Sequence, residues 1–408
     1  MSRIVITLCT PDFTGASKMA KFYADAFVAA GHEVLVIHGP EPQVNDQSGT
    51  ELTSFVISLR ESGIETELLP DLAFPLFPSV IAKTARIAAG FGADVVIGVN
   101  ARDRAVALKT ATRLKLPGVL SLQNRHHFHG PLFVPRLKEA YYRRAMQNDL
   151  TMAICSSPAV EEEMRERFSV SSERTCVVYN GVDVINFPDF SDNEKQQVRE
   201  KFQIGPDELM LVNVGRIDIQ KGLEVLTRAF KEVIDSGRKA KLIQVGDVHD
   251  GPNAVQMSAY FSSLKSYLQE NNLADRFIFA GWRNDCPLLL RAADMYVHSA
   301  QWEGWPLSVV EAMGAALPVI MTDCSGRPEG FIDCEHGIIV PRNDVAALAA
   351  AMKTFIDLPA QDRNEIGQRG RQFATDHFEI SRTGRKFVEI VERMIEENKA
   401  AREPIGSS

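Results

Sequence analysis

Residues 209–233, LMLVNVGRIDIQKGLEVLTRAFKEV, decide how the chain folds. The first six, Leu209 to Val214, form an apolar run of strand length. From Leu223 onward, Leu223, Leu226, Phe230 and Val233 recur at the spacing of one buried helix face. Between them lies the polar octet Gly215 to Gly222. An apolar strand feeding an amphipathic helix is half of a β-α-β crossover, which requires a parallel sheet covered by helices on both faces. The same grammar repeats outward in both directions. Strands are expected at 240–245, 276–280, 294–298 and 317–321 on one side, and at 3–8, 33–38, 94–98, 118–122, 151–156 and 176–179 on the other. After the first strand, Met19, Phe22, Tyr23, Ala26, Phe27 and Ala30 trace a helix face, and Gly31 ends that helix.

A chain of 408 residues exceeds one ordinary core. The stretch from Val184 to Lys195 has Pro188, several Asp, Asn and Ser residues and no period, so it reads as a linker. The expected organisation is α/β throughout, with doubly wound domains at 1–183 and 184–378. A final segment, 379–408, carries an amphipathic helix (Phe387, Val388, Val391, Met394 and Ile395 on one face) and a polar tail.

Composition narrows the function classes. Hydrophobic residues make up 45% of the chain and charged residues 24%, an ordinary globular balance. No apolar run reaches the roughly 18 to 20 residues that span a bilayer. Met1-Ser2-Arg3 leads straight into a strand without signal-peptide grammar, so a cytoplasmic protein is expected. The six cysteines are scattered without a Cys-x-x-Cys pair, which disfavours zinc sites and disulfide scaffolds. A formal charge of −8 argues against bulk nucleic-acid binding. One stretch opposes that charge. Arg102, Arg104, Lys109, Arg113, Lys115, Arg125, Arg136, Lys138, Arg143 and Arg144 face only Asp103 and Glu139, a local net charge of +8. Leu132, Phe133, Val134, Leu137, Tyr141 and Tyr142 lie among these cations. That mixture suits an anionic membrane surface or a phosphorylated, lipid-linked acceptor.

The common nucleotide signatures are missing. Gly90-Phe91-Gly92 precedes a strand and meets Val95 where a third glycine belongs, and no Gly-Lys-[Ser/Thr] occurs. Phosphate therefore needs another cradle. In Gly215–Gly222, Arg216 and Lys221 flank a turn that opens a helix, and two cations beside a helix N-terminus suit a diphosphate without a metal. The second segment is Glu303-Gly304-Trp305-Pro306-Leu307-Ser308-Val309-Val310-Glu311. Pro306 fits the first helical position, leaving the Leu307 and Ser308 amides as open donors, with Glu311 on the same face and Glu303 in the loop before. Carboxylates take hydroxyl donors and amides take phosphate, which together suit a nucleotide sugar. His126, His127 and His129 sit close together, but no carboxylate or cysteine accompanies them, and no metal site is expected.

Glu-x7-Glu within EGWPLSVVEAMGAALPVI, preceded by GRIDIQKG, closely resembles the retaining GT-B glycosyltransferases of family GT4. Ser325-Gly326-Arg327-Pro328-Glu329 and Asn180-Gly181-Val182-Asp183 fit the same family. The resemblance spans nearly the whole chain. It implies two Rossmann-like domains facing a cleft, with the last helix returning to the N-terminal domain. It further implies that Arg216 and Lys221 bind the donor diphosphate, Glu311 the ribose and Glu303 the transferred sugar, with Gly304, Leu307 and Ser308 beside them. Gly281, Trp282 and Arg283 would frame the base, and Gly15 in Thr14–Ser17 would approach the diphosphate from the N-terminal domain. The donor would be a UDP- or GDP-sugar, used without cofactor or metal. Asn124, Arg125, His126 and His127 would lie at the acceptor, a glycan or a lipid-linked or phosphorylated molecule met at the inner face of the membrane.

The chain departs from the family in three places. The first loop has one glycine where the family often has two. Trp305-Pro306 stands where it reads Phe-Gly, so one phosphate donor is lost. Gln123 or Asn124 occupies the place of an active-site histidine that His126 or His127 could replace. The resemblance also implies same-face substitution by the acceptor hydroxyl. Two rival functions share such a chain: a GT-B sugar-nucleotide epimerase, and a non-catalytic nucleotide-sugar or glycan-binding protein.

Overall fold

In the computed structural model, residues 1–43, 46–49, 54–73, 78–125, 136–137, 139–140, 143–144, 146, 150–248 and 254–402 are described. The chain divides into two compact units. One comprises Met1–Gln43, Thr53–Gly181 and Ser381–Ser408, the other Val44–Leu52 and Val182–Ile380. The expected borders at 183 and 378 lie two residues from these. The transfer of Val44–Leu52 to the second unit was not expected.

The first unit is built on seven strands: β1 (Arg3–Leu8), β2 (Glu33–His38), β3 (Glu65–Leu68), β4 (Val95–Gly98), β5 (Gly118–Leu122), β6 (Thr151–Cys155) and β7 (Thr175–Val177). They lie in the order β3-β2-β1-β4-β5-β6-β7, and every described pair is parallel. Ile4, Val5, Ile6 and Leu8 of β1 are fully buried, as a central strand covered on both faces demands. Helix α1 (Gly15–Ala29) follows β1, and Gly31 beyond it has φ +83°, the left-handed turn expected of it. Helices α2 (Phe55–Glu61), α3 (Pro78–Phe91), α4 (Ala101–Leu114) and α5 (Pro158–Glu166) complete the described coverage.

The second unit holds α6 (Asp192–Lys201), β8 (Leu209–Val214), α7 (Leu223–Asp235), β9 (Ala240–Val245), α8 (Ala254–Glu270), β10 (Phe277–Phe279), α9 (Cys286–Ala292), β11 (Met295–His298), α10 (Leu307–Gly314), β12 (Val319–Thr322), β13 (Gly337–Val340), α11 (Val345–Asp357) and α12 (Ala360–Phe378). Its strand order is β10-β9-β8-β11-β12-β13, again parallel in every described pair. Leu226, Phe230 and Val233 of α7 pack with Leu211, Leu242 and Phe277 of the sheet, as the opening segment requires. Both sheets are Rossmann-like, and in each the order reverses at one point, between β1 and β4 and between β8 and β11. In open α/β sheets ligands bind beyond the carboxyl ends of the strands at that reversal.

The last helix, α13 (Ile380–Ala400), belongs to the first unit from Ser381 on. Phe387 stacks on Tyr23 of α1 with centroids 3.8 Å apart, Lys399 pairs with Asp94 at 2.8 Å, and Lys386 donates to the Val177 carbonyl at 2.8 Å. Its apolar face thus finds the N-terminal partner expected of it.

Two sequence expectations need correction here. The stretch 184–195 is not a free linker. Glu379 accepts hydrogen bonds from the Val184 and Ile185 amides at 3.0 and 3.1 Å, and from Asp192 the chain is helical, started by a capping box of Ser191 and Glu194. The strands β3 and β13 were not expected at all. β3 is a polar edge strand, Glu-Thr-Glu-Leu, and β13 is only four residues long behind a glycine.

Candidate active site

The switch point of the second sheet collects the octet after β8 and the loop after β11. Gly215 follows β8, Ile219–Lys221 form a short 3-10 turn, and Gly222 caps it with φ +64°. A Cβ on Gly222 would lie 2.1 Å from the Ser299 carbonyl oxygen, so only glycine lets the turn sit this close to the end of β11. Ser299 Oγ in turn donates to the Lys221 carbonyl at 2.8 Å. This packing aims Lys221 across the switch point, and its Nζ lies 2.5 Å from Glu303 Oε1. Both side chains are largely buried, at 17% and 6% exposure.

Three polar side chains surround the Glu303 carboxylate. Besides Lys221, His298 Nε2 lies 3.4 Å from Oε1, and Gln220 Nε2 donates to Oε2 at 3.3 Å and to the Trp302 carbonyl at 2.9 Å. Burial alone would raise the carboxyl's pKa, but the Lys221 ammonium and the His298 hydrogen bond outweigh it and hold it down at about 2. Burial lowers the pKa of the His298 imidazole, with Glu303 only partly opposing. The loop carrying Glu303 is held from behind, where Ser325 Oγ donates to the Glu303 carbonyl at 2.9 Å. A Cβ on Gly326 would lie 2.7 Å from that same oxygen. The Ser325–Glu329 segment therefore acts on Glu303 through its backbone. Gly304 is buried beside it, and Trp305 packs edge-on against Phe378 with centroids 4.8 Å apart.

Arg216 differs from Lys221. Its side chain is 44% exposed, and its ion pair to Asp218 is long, 3.7 Å. It is a cation presented to solvent at the rim of the same turn.

The start of α10 departs from expectation by one residue. Pro306 is the cap, with φ −85° and ψ 84°, and the helix begins at Leu307. The Leu307 amide is already bonded to the Trp305 carbonyl at 3.1 Å, so it is not the open donor expected. Among the described residues the Ser308 amide has no backbone acceptor, as expected. Ser308 Oγ accepts from the Tyr296 hydroxyl at 2.8 Å, which fixes its rotamer. Glu311 follows on α10, half-buried, one turn beyond Leu307 and Ser308.

The segment expected to frame the base is held by contacts within the second unit. Arg283 donates to Asp285 from Nε and Nη2, at 2.8 and 2.5 Å, and to the Gln47 carbonyl from Nη1 at 2.9 Å, so all three guanidinium nitrogens have structural partners. The Trp282 carbonyl accepts the Gln47 amide at 2.9 Å, and a Cβ on Gly281 would meet Gln47 Cγ at 2.6 Å. Asp46–Gly49, from the N-terminal half of the sequence, thus lies against Gly281–Arg283. No residue pattern signalled that.

In the first unit, Gly15 is exposed as the first residue of α1, and the preceding Thr14 donates its amide and hydroxyl to Asp12 at 3.0 and 2.5 Å. At the end of β5, Gln123 is committed to structure. It donates to Ser121 at 2.7 Å and accepts from Asn180 at 2.6 Å. Asn124 is half-buried and accepts the Arg125 amide at 2.9 Å. The expected acceptor residues His126 and His127 lie outside the described residues, as do His129, Leu132, Phe133, Val134, Lys138, Tyr141 and Tyr142. Of the basic stretch, Arg104 is buried, while Arg102, Lys109, Arg113, Lys115, Arg136, Arg143 and Arg144 are exposed.

Residues 194–373 match the family model of the glycosyl transferases group 1, and residues 13–185 that of glycosyltransferase family 4. The chain belongs to this glycosyltransferase family. Among curated relatives of this family member is the lipopolysaccharide core biosynthesis mannosyltransferase LpsB of Rhizobium meliloti, 28% identical over 208 residues, 49% of this chain and 57% of that protein. Another is the UDP-Gal:alpha-D-GlcNAc-diphosphoundecaprenol alpha-1,3-galactosyltransferase of Escherichia coli, 27% identical over 211 residues, 51% of each chain. The match spans little more than half the length of these two relatives. Among solved structures, HepE of Anabaena in complex with UDP-glucose superposes with a TM-score of 0.80 at 19% identity, over 96% of this chain and all of that one. That likeness places the fold in the GT-B class. His298 and Gln220 are the site residues that sequence reasoning missed. His298 ends an expected strand at the switch point, and a polar residue in that position was the available signal.

Proposed function

We propose that the chain is a retaining, metal-independent glycosyltransferase that moves a sugar from a nucleoside diphosphate sugar, UDP- or GDP-linked, to a hydroxyl acceptor. The observation that carries this reading is the buried Lys221–Glu303 pair at the switch point of the second sheet, with Arg216 exposed on the same turn. An ammonium has three donors, so Lys221 can keep Glu303 and still meet a diphosphate oxygen. Among the described residues Arg216 has only the long 3.7 Å pair to Asp218, and it supplies the second positive charge. Glu303 keeps acceptor capacity for a hydroxyl of the sugar, Ser308 offers its amide to phosphate, and Glu311 stands along α10 for the ribose.

The acceptor oxygen attacks the sugar's anomeric carbon from the face that the diphosphate leaves. The bond from that carbon to the diphosphate oxygen breaks, and the acceptor proton passes to the departing phosphate. Nucleoside diphosphate and glycoside are the products. Arg216 and Lys221 stabilise the charge growing on the leaving diphosphate, the electrostatic task a divalent metal performs elsewhere. The relatives named above assemble lipopolysaccharide core or modify a diphosphoundecaprenol-linked sugar. By analogy the acceptor here is a glycan or a lipid-linked or phosphorylated molecule. The exposed Arg136, Arg143 and Arg144 favour meeting it at the anionic inner face of the membrane, where each cation contributes about 1 kcal/mol. Among the described residues no helix is long and apolar enough to cross a membrane.

The test is a thermal-shift screen of nucleotide sugars, then transfer assays with membrane extracts in the presence and absence of EDTA, with the product's anomeric configuration read by NMR. Inversion, or complete loss of activity in EDTA, would overturn the mechanism. Isomerisation of the donor without acceptor would instead identify an epimerase.

A further inference from the structure

Glu303 is the carboxylate on which the sugar half of the proposed donor depends, and its shared ammonium partner has a second task at the diphosphate. A Lys221 shared with the diphosphate still holds Glu303, but one contact does not fix the carboxylate's orientation, and a second donor would. Among the described residues His298 is the neighbour placed to do so whose side chain makes no other hydrogen bond. The ring is 2% exposed and sits at the end of β11, five residues before Glu303. Its Nε2 faces Glu303 Oε1 at 3.4 Å, while Nδ1 is buried with no partner among the described residues. Gln220, the remaining donor, divides its amide between Glu303 and the Trp302 carbonyl.

The two ring nitrogens decide the tautomer. A proton on Nδ1 would be a buried donor without an acceptor, and the Nε2 lone pair would then face a carboxylate. A proton on Nε2 gives Glu303 a donor and leaves on Nδ1 only an unfilled acceptor. We infer that His298 is a positioning residue for the proposed transfer, a neutral imidazole whose Nε2–H locks Glu303 in the orientation that receives the sugar. The depressed basicity of the ring agrees, since an imidazolium there would add a second buried cation beside Lys221. His298 touches neither donor nor acceptor in this scheme. It acts through Glu303, so it bears on the sugar and not on the nucleotide.

This inference rests on the functional reading above, and its tests separate the two. The first needs no ligand. Long-range 15N–1H correlation of the histidine rings, with His298 assigned through His298→Gln, should show a neutral Nε2–H tautomer from about pH 6 to 8. An Nδ1–H tautomer or an imidazolium overturns the inference and leaves the functional reading standing. The second compares calorimetric affinities for UDP and UDP-glucose, and for GDP and GDP-mannose, using the pair that wild type binds. His298→Leu should leave nucleoside diphosphate affinity within twofold and abolish about 10- to 100-fold of the gain that the sugar provides, the range of one hydrogen bond to a charged group. His298→Gln, whose amide nitrogen reaches the Nε2 position, should restore most of that gain, whereas His298→Asn, which mimics Nδ1, should not. Equal loss of nucleotide and nucleotide-sugar affinity, or equal behaviour of the Gln and Asn variants, would mean a purely structural histidine. If His298→Leu does not fold, the Gln and Asn comparison decides alone. Wild type that binds no nucleotide sugar overturns the functional reading itself, and the inference with it.

Discussion

Replacing Lys221 with Met removes the ammonium 2.5 Å from Glu303 Oε1 and keeps the stem that packs under Gly215, whose Cβ position lies 3.2 Å from Lys221 Cε. Glu303, 6% exposed, would then be a buried carboxylate with two weaker donors. In the native protein its pKa falls from the ordinary 4.5 to about 2, which at about 1.4 kcal/mol per pH unit is about 3 kcal/mol of stability at neutral pH. Breaking a buried pair by removing one partner costs about 3 to 5 kcal/mol, and the slight exposure of Lys221 favours the lower end. The sign over pH follows from the two folded states. The native carboxyl titrates below its unfolded value, so its contribution is complete above about pH 4.5 and is lost as pH falls toward 2. In Lys221→Met, burial without a counterion pushes the carboxyl above its unfolded value. The variant therefore gains relative stability as pH falls, and its deficit should shrink steadily between pH 7 and pH 4. For a unit of about 200 residues, 3 kcal/mol is roughly 6 to 12 °C in Tm. Thermal unfolding followed by circular dichroism at pH 7, 5.5 and 4 measures this. Lys221→Met/Glu303→Gln should recover part of the loss at pH 7. A deficit under 1 kcal/mol, or one that does not change with pH, would refute the pairing as the source of Glu303's ionisation.

Arg216→Ala should lower transfer by about 100-fold with Tm almost unchanged, because its side chain is 44% exposed and its ion pair to Asp218 is 3.7 Å long; steady-state rates and a melting curve check both. Gly222→Ala should destabilise by more than about 2 kcal/mol, since a Cβ would meet the Ser299 carbonyl at 2.1 Å from a φ of +64°; near-native urea unfolding would contradict it. Ending the chain at Ile380 should destabilise the first unit, which loses the Tyr23–Phe387 stack and the Lys399–Asp94 pair; unchanged protease resistance of residues 1–181 would count against that. Changing Arg136, Arg143 and Arg144 together to Glu should abolish salt-sensitive sedimentation with anionic vesicles, and sedimentation equal to wild type would remove the membrane reading of that stretch.

How far the sequence alone could reach depended on whether a residue's role is local. Strands β1, β8 and β11 were legible because a central parallel strand must be apolar on both faces, and helix α7 because its buried face repeats at helical spacing. The polar edge strand β3 carries no such pattern, and β13 opens on a glycine and leaves Ile338 and Ile339 only half-buried. At the site, Arg216, Lys221, Glu303 and Glu311 were legible from residue type at a strand-to-helix junction. Their states were not. Nothing in the spacing of Lys221 and Glu303 says that they pair across the switch point, which is a consequence of β8 and β11 being neighbours in a crossed-over sheet. Arg283 shows the converse, a cation in the expected place whose guanidinium is held by Asp285 and by the Gln47 carbonyl, a group 236 residues away in sequence. The distinction has a chemical consequence for the site. Of the cations expected to serve the donor, Arg283 is committed to structure, Lys221 is shared with Glu303, and Arg216 alone faces solvent. A diphosphate reaching this turn should therefore meet Arg216 first and engage Lys221 by adding to its contact with Glu303. Arg216 should then dominate the salt dependence of donor association, and Lys221 the chemical step.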